Sequence, residues 1–163
     1  MWTRHRGTMD EDIRKARAEV AHSWLMEARE AHRDARRWLS EVQSLEDSTG
    51  IRGTDYSAVR VASSSDPDGV HRLAMRHMEV TERYLEASRR CIDLHDAASV
   101  AIDRLDSHTE RQVLSLYYLS GKSMQQVADA IGYSKPGVQC IKQVALCDLY
   151  EFLPEELKLP EAL

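Results

Sequence analysis

Apolar residues recur at alternating spacings of three and four along most of this chain, and one polar stretch interrupts them. In the run DEDIRKARAEVAHSWLMEAREAHRDARRWLSEVQSLED, the positions Ala21, Trp24, Ala28, Ala31, Ala35, Trp38, Val42 and Leu45 form a heptad seam. That spacing predicts a long helix within residues 1–46, acidic at its start as the helix dipole favours, with one narrow, alanine-rich contact face. Residues 47–68 change abruptly to Ser, Gly, Asp and Pro without a period. They read as a flexible loop, with a short extended piece at Ala58, Val59, Arg60 and Val61. The period resumes from 69 to 106, where Leu73, His77, Val80, Tyr84, Ala87, Cys91, Leu94, Ala98, Ala101 and Leu105 continue it. Met78, Leu85, Ile92 and Ile102 add a second stripe beside the first. Asp68 is the expected N-cap, and the predicted helix is about 55 Å long at 1.5 Å per residue. Neither seam can be buried by its own helix. The two helices are therefore expected to pair as an antiparallel hairpin, with a second copy, or both.

The last third has a shorter rhythm. Ser107 with Glu110, and Ser123 with Gln126, carry the S-x-x-E/Q spacing of a capping box, and Gly121 and Gly132 stand where a left-handed helix terminator is wanted. Three short helices are predicted at about 108–120, 123–131 and 135–152. Val113, Leu114, Tyr117 and Tyr118 should face inward from the first, Val127 and Ile131 from the second, and Val138, Ile141, Ala145 and Leu149 from the third. Small Ala128 allows a close helix crossing, and Gly132, Tyr133 and Ser134 make a turn too short to be a linker. Residues 107–153 thus read as a helix-turn-helix domain whose final helix would enter a DNA major groove. Residues 154–163, after Leu153, form an acidic tail expected to fray. The fold class is all-α: a coiled-coil-like helical hairpin followed by a three-helix domain.

Composition sharpens this picture in three places. Charged residues make up 30% and only seven Gly and four Pro interrupt them, which favours long helices. The formal net charge of −5 leaves no global basic footprint of the kind a non-specific nucleic-acid binder carries. From His108 to Cys147 the balance is about +2, with Arg111, Lys122, Lys135 and Lys142 opposed by Glu110 and Asp129. Phosphate neutralisation per copy should be modest, and a dimer would double it. On the first helix, Arg29, Arg33, Arg36 and Arg37 against Glu27, Glu30 and Asp34 read as a solvated face laced with i, i+4 pairs rather than a phosphate stripe. His77, Cys91 and His95, on or beside the second seam, read as packing residues.

Cys91, Cys140 and Cys147 lack a C-x-x-C spacing, and the seven His lack H-x-x-x-H. The thiols are expected to be reduced and mostly buried, with no zinc site. No Gly-rich phosphate loop or nucleophile elbow is present, so no enzymatic activity and no cofactor is expected. The polar start MWTRHRGTMDED and the absence of a long apolar run predict a cytoplasmic protein without a membrane partner.

The segment TERQVLSLYYLSGKSMQQVADAIGYSKPGVQCIKQVALCDLYEFLP resembles region 4 of the sigma-70 factors. Its ending, with the Ala145-Leu146 pair, a leucine-tyrosine helix and FLP, is still more similar to phage and mobile-element regulators of the ArpU and RinA type. Asp55-Tyr56-Ser57, Val59, Ser63 and Asp66 echo the loop between the long helices of those proteins. The resemblance implies a sequence-specific transcriptional regulator of phage or integrated-element genes that binds double-stranded DNA, with RNA polymerase as a further partner and a dimer as the favoured homo-oligomer. Two other classes fit the same elements: a phage small terminase-like DNA-packaging protein, and a coiled-coil protein-interaction module without DNA binding.

In the DNA-binding reading, the outward residues of the last helix are Lys135, Gln139, Lys142 and Gln143. Gln suits adenine N6 and N7, and Lys suits guanine O6 and N7, so these four are the base-contact candidates. Lys122, Ser123, Gln125 and Ser134, near the helix starts, are the phosphate-contact candidates. Gly137 has two readings, close approach of the backbone to a phosphate or clearance of the preceding helix.

Overall fold

In a computed structural model of the chain, residues 11–49 and 67–159 are described, and among them the structure is all-helical with no strand. Five α-helices follow in order: α1 Glu11–Thr49, α2 Pro67–Asp103, α3 His108–Leu114, α4 Met124–Ile131 and α5 Lys135–Leu149. The N-terminal residues 1–10, the span 50–66 with its expected extended piece and its Asp55 to Asp66 echo, and residues 160–163 lie outside the described residues. Helix α1 continues to Thr49, beyond the predicted end at 46, and Asp68 lies in the first turn of α2 instead of capping it.

The predicted 108–120 helix is two structures in succession. Ser107 caps α3, its hydroxyl accepting the Glu110 N–H at 3.3 Å. From Ser115 to Leu119 the chain widens into a π-helical turn, closed by Ser120 N–H to Ser115 C=O at 2.9 Å. Such a turn shifts the register of the side chains that follow it. Tyr118 is thereby fully buried, while Tyr117 stays half-buried. Gly121, at φ 67°, turns the chain away afterwards. Helix α5 gives way to a 3-10 turn, Tyr150–Phe152. In the tail, the Leu159 N–H donates to the Tyr150 hydroxyl at 2.5 Å.

The chain divides into two compact units. One comprises the described residues up to Arg29 and from Leu94 onward; the other is Glu30–Asp93. The first unit has two joined cores. Val113, Val127, Ala128 and Val138 fasten α3, α4 and α5 to one another. Leu25, Ile102, Leu114, Tyr118, Leu146 and Leu149 make the larger core, with Ala18, Ala21, Ala28, Ala98 and Ala101 bringing the long-helix ends close. The alanine-rich face predicted on α1 is thus part of the seat of α3 to α5, and Leu25, outside the heptad reading, is its largest buried residue on that helix.

In the second unit, α1 and α2 run in opposite directions along their contacts. Arg83 lies over the Trp38 ring at 5.2 Å, Arg76 meets Glu41 at 3.6 Å and His77 meets Glu46 at 3.9 Å. Only Ala31 and Val80 among this unit's described residues are fully buried. No helix among the described residues is long and apolar enough to cross a membrane.

Candidate nucleic-acid interface

Local caps define both ends of α4 and the start of α5. Ser123 Oγ accepts the Gln126 N–H at 3.2 Å, and Gln126 Oε1 accepts the Ser123 N–H at 2.9 Å, a complete capping box. Gly132 ends α4 at φ 73°, where a Cβ is strained, and the N–H groups of Gly132 and Tyr133 both reach the Ala128 carbonyl at 3.0 and 3.1 Å. Two residues on, Ser134 Oγ accepts the Gly137 N–H at 3.2 Å and opens α5. The hydroxyls of Ser123 and Ser134 act here as acceptors, so each keeps its O–H free to donate to an anion. Gln125 is tied to its own helix, donating to Asp129 at 2.9 Å.

Clearance of the preceding helix is not what the surroundings of Gly137 require. A Cβ there would meet Ser134 Oγ at 3.1 Å, with the Tyr133 ring next at 4.0 Å. The glycine makes room for the cap of its own helix.

Along α5, Val138, Ala145, Leu146 and Leu149 are buried, with Ile141 half-buried beside them. Lys135, Gln139 and Gln143 are exposed and stand at successive four-residue steps, so they occupy one face. Cys140 and Val144 share the exposed side. The expectation that the thiols are mostly buried holds only in part: Cys91 and Cys147 are half-buried and Cys140 is exposed. Burial raises the pKa of Cys91 and of Cys147, which disfavours their reactive thiolates.

Lys142 departs from the other three base-contact candidates. It is half-buried, and its ammonium sits 4.6 Å from the centre of the Tyr117 ring and 6.0 Å from that of Tyr118. Desolvation, followed by the nearby Arg29 charge, lowers its pKa. The aromatic faces attract the ammonium electrostatically and compensate part of the lost hydration. Lys142 therefore belongs to the support of α5, and its charge is not presented alongside Gln139 and Gln143.

That support includes residues whose role no local pattern marks. Arg29, expected to be solvated, is half-buried: its guanidinium donates to the Tyr117 carbonyl and, at 3.1 Å, to the Lys122 carbonyl, while lying 4.1 Å from the Tyr117 ring centre. It thereby binds backbone groups on either side of Gly121, which the π turn and the tight bend leave outside the helical ladder. His95 Nε2 lies 2.8 Å from the Leu119 carbonyl, so the tautomer protonated at Nε2 donates there. His22 Nδ1 is 2.5 Å from the Tyr118 hydroxyl. Burial, then the Lys142 charge, lowers the His22 pKa, and burial raises that of Tyr118. Both shifts keep the imidazole neutral and the phenol protonated, so the hydroxyl donates to Nδ1. Arg111 closes the preceding bend by donating to the carbonyls of Leu105 and, at 3.3 Å, Asp106.

Of the two lysines of α5, only Lys135 is fully on the surface, and Lys122 at the approach to α4 is half-buried. Among the described residues no group of His, Cys, Asp and Glu is arranged to hold a metal ion. No protein-family model, curated protein or solved structure matches this chain.

Proposed function

We propose that this chain is a sequence-specific double-stranded DNA-binding regulator, with α4 and α5 as its helix-turn-helix and α5 as the helix that enters the major groove. The observation that carries the reading is the face of α5. Gln139 and Gln143, one turn apart and exposed, stand on a helix whose opposite side is fastened to α3 and α4 through a three-residue turn. Each glutamine can pair with adenine N6 and N7, and Lys135 can donate to guanine or to a phosphate. Ser123 and Ser134 would donate their hydroxyls to phosphates, with Lys122 beside them. The segment's resemblance to sigma region 4 and to the ArpU and RinA type regulators supports reading it as a regulator of phage or integrated-element genes, with RNA polymerase as the second partner this reading implies.

Selection from a random duplex library, followed by anisotropy titration over a salt series, tests the reading. Gln139→Ala and Gln143→Ala should each lose about 1–3 kcal/mol on the selected sequence and little on scrambled DNA. Lys135→Ala should weaken both and lower the salt slope by about 1. Failure of any sequence to enrich would overturn it. A second reading, a helix-turn-helix that docks on protein, is favoured by one observation: Cys140 and Val144 put apolar surface on the exposed side of α5, where cationic charge is sparse. In that case Val144→Asp would abolish partner capture while DNA affinity remained absent at every salt concentration.

A further inference from the structure

We infer that the outer face of α2 in the Glu30–Asp93 unit is a self-association surface, on which a second copy of this chain packs antiparallel with its two-fold axis near Leu85. Helix α2 carries two apolar stripes. The one containing Val80 is turned to α1, where Val80 is fully buried. The other stays on the surface: Met78 is 58% exposed, Leu85 49% and Ile92 58%, one heptad apart. Met75, 55% exposed, extends it by one turn. A line of large apolar residues at heptad spacing is a coiled-coil seam lacking its other helix.

The charges along the seam select the occupant. Glu82 lies three residues before Leu85 and Arg89 four residues after it, both exposed and both on the outer face. A two-fold axis perpendicular to the helix exchanges the two directions of the sequence. It sets Leu85 against Leu85 of the second copy, Met78 near the copy's Ile92, and Glu82 beside the copy's Arg89, with every contact made twice. A parallel pairing would instead place like charges together at both positions. An apolar strip alone would accept many partners; acid on one side of the centre and base on the other is complementary to itself. Arg83 does not compete for Glu82, because it is paired with Glu79 at 2.7 Å and lies over Trp38.

The surface is independent of the DNA-binding reading, and its test uses no DNA. Sedimentation equilibrium of the full chain should give a mass near twice 18.6 kDa at micromolar concentrations. Leu85→Asp should raise the dissociation constant by at least about tenfold, a buried interface centre being where such losses concentrate. Glu82→Arg and Arg89→Glu should each weaken association about fivefold, and the double variant should return to within about twofold of the parent, because reversing both charges restores the pairs. The reversals sit on the surface, so they decide the question even if Leu85→Asp loses helicity by circular dichroism. A monomer throughout, a dimer indifferent to Leu85, or a double variant weaker than either single one would each overturn the inference.

Discussion

The two compact units solve the same problem, burying one face of a long helix, with very different means. In the first, α1 and α2 contribute alanines and Leu25 to a core filled by Tyr118, Leu114, Leu146 and Leu149. Its polar groups are used internally: Arg29 and His95 hold backbone carbonyls, and His22 holds the Tyr118 hydroxyl. Among the second unit's described residues only Ala31 and Val80 are fully buried, and ion pairs and cation–ring contacts line the seam. Exposed pairs of that kind contribute about 0–1 kcal/mol each, whereas a fully buried Val or Leu contributes about 1.5–3. The Glu30–Asp93 unit is therefore the less stable region by itself and also the one with an uncovered apolar stripe.

The largest expected effect tests the asymmetry directly. Tyr118→Ala removes the largest fully buried side chain of the first unit and leaves His22 without its donor; it should cost about 3–5 kcal/mol in urea unfolding. Val80→Ala, in the second unit, should cost about 1–2 kcal/mol, because little else packs around the void. Equal losses from the two would show that the second unit is held as firmly as the first.

Next in size is the turn between α4 and α5. Gly132→Ala forces a Cβ into the left-handed region at φ 73°, although no atom lies within 4 Å to clash with it. The loss, about 1–2 kcal/mol, is one of conformation alone and should appear in thermal unfolding. Ser123→Ala removes one half of the capping box and should lose about 1 kcal/mol.

Those two positions also mark what the chain displays openly. Capping boxes, glycine terminators and a 3.6 period are local signals, so α4, the turn and α5 could be read from spacing alone, as could the all-helical class. The π turn could not: SLYYL continues the apolar period, and only the packing of Tyr118 against α1 and the larger core selects the wider register. Arg29 and Lys142 were illegible for a related reason. Each lies on a face that the helical period leaves polar, and each is drawn inward by a partner far along the chain, the Tyr117 ring and its backbone. Long, flexible cations can reach such partners from the edge of a face, and periodicity records only the direction of the Cβ.

A smaller effect is expected from pH. Because the native environment lowers the His22 pKa, the folded chain resists a proton that the unfolded chain accepts below about 6.5. Stability is then complete above that pH and falls as the solution is acidified through it. Protonation also ends the acceptor role of Nδ1 toward the Tyr118 hydroxyl. His22→Gln should flatten the dependence of the urea midpoint between about pH 7 and pH 5 relative to the parent. An unchanged slope would place the acid sensitivity elsewhere than at His22.

The smallest expected effect separates support from contact on α5. Lys142→Met keeps an unbranched chain over the Tyr117 ring and removes a charge held against desolvation and Arg29. Stability should change by less than about 1 kcal/mol, since the ring attraction is exchanged for relief of those two costs. Specific DNA affinity should change less than with Gln139→Ala or Gln143→Ala, and the salt slope should stay near its parent value. The comparison is sensitive because Lys135 and Lys142 are both lysines of one helix with different surroundings, one exposed and one half-buried. If Lys142→Met lowered the slope as much as Lys135→Ala, its ammonium would have to leave the Tyr117 ring on binding. The support for α5 would then be part of the interface itself.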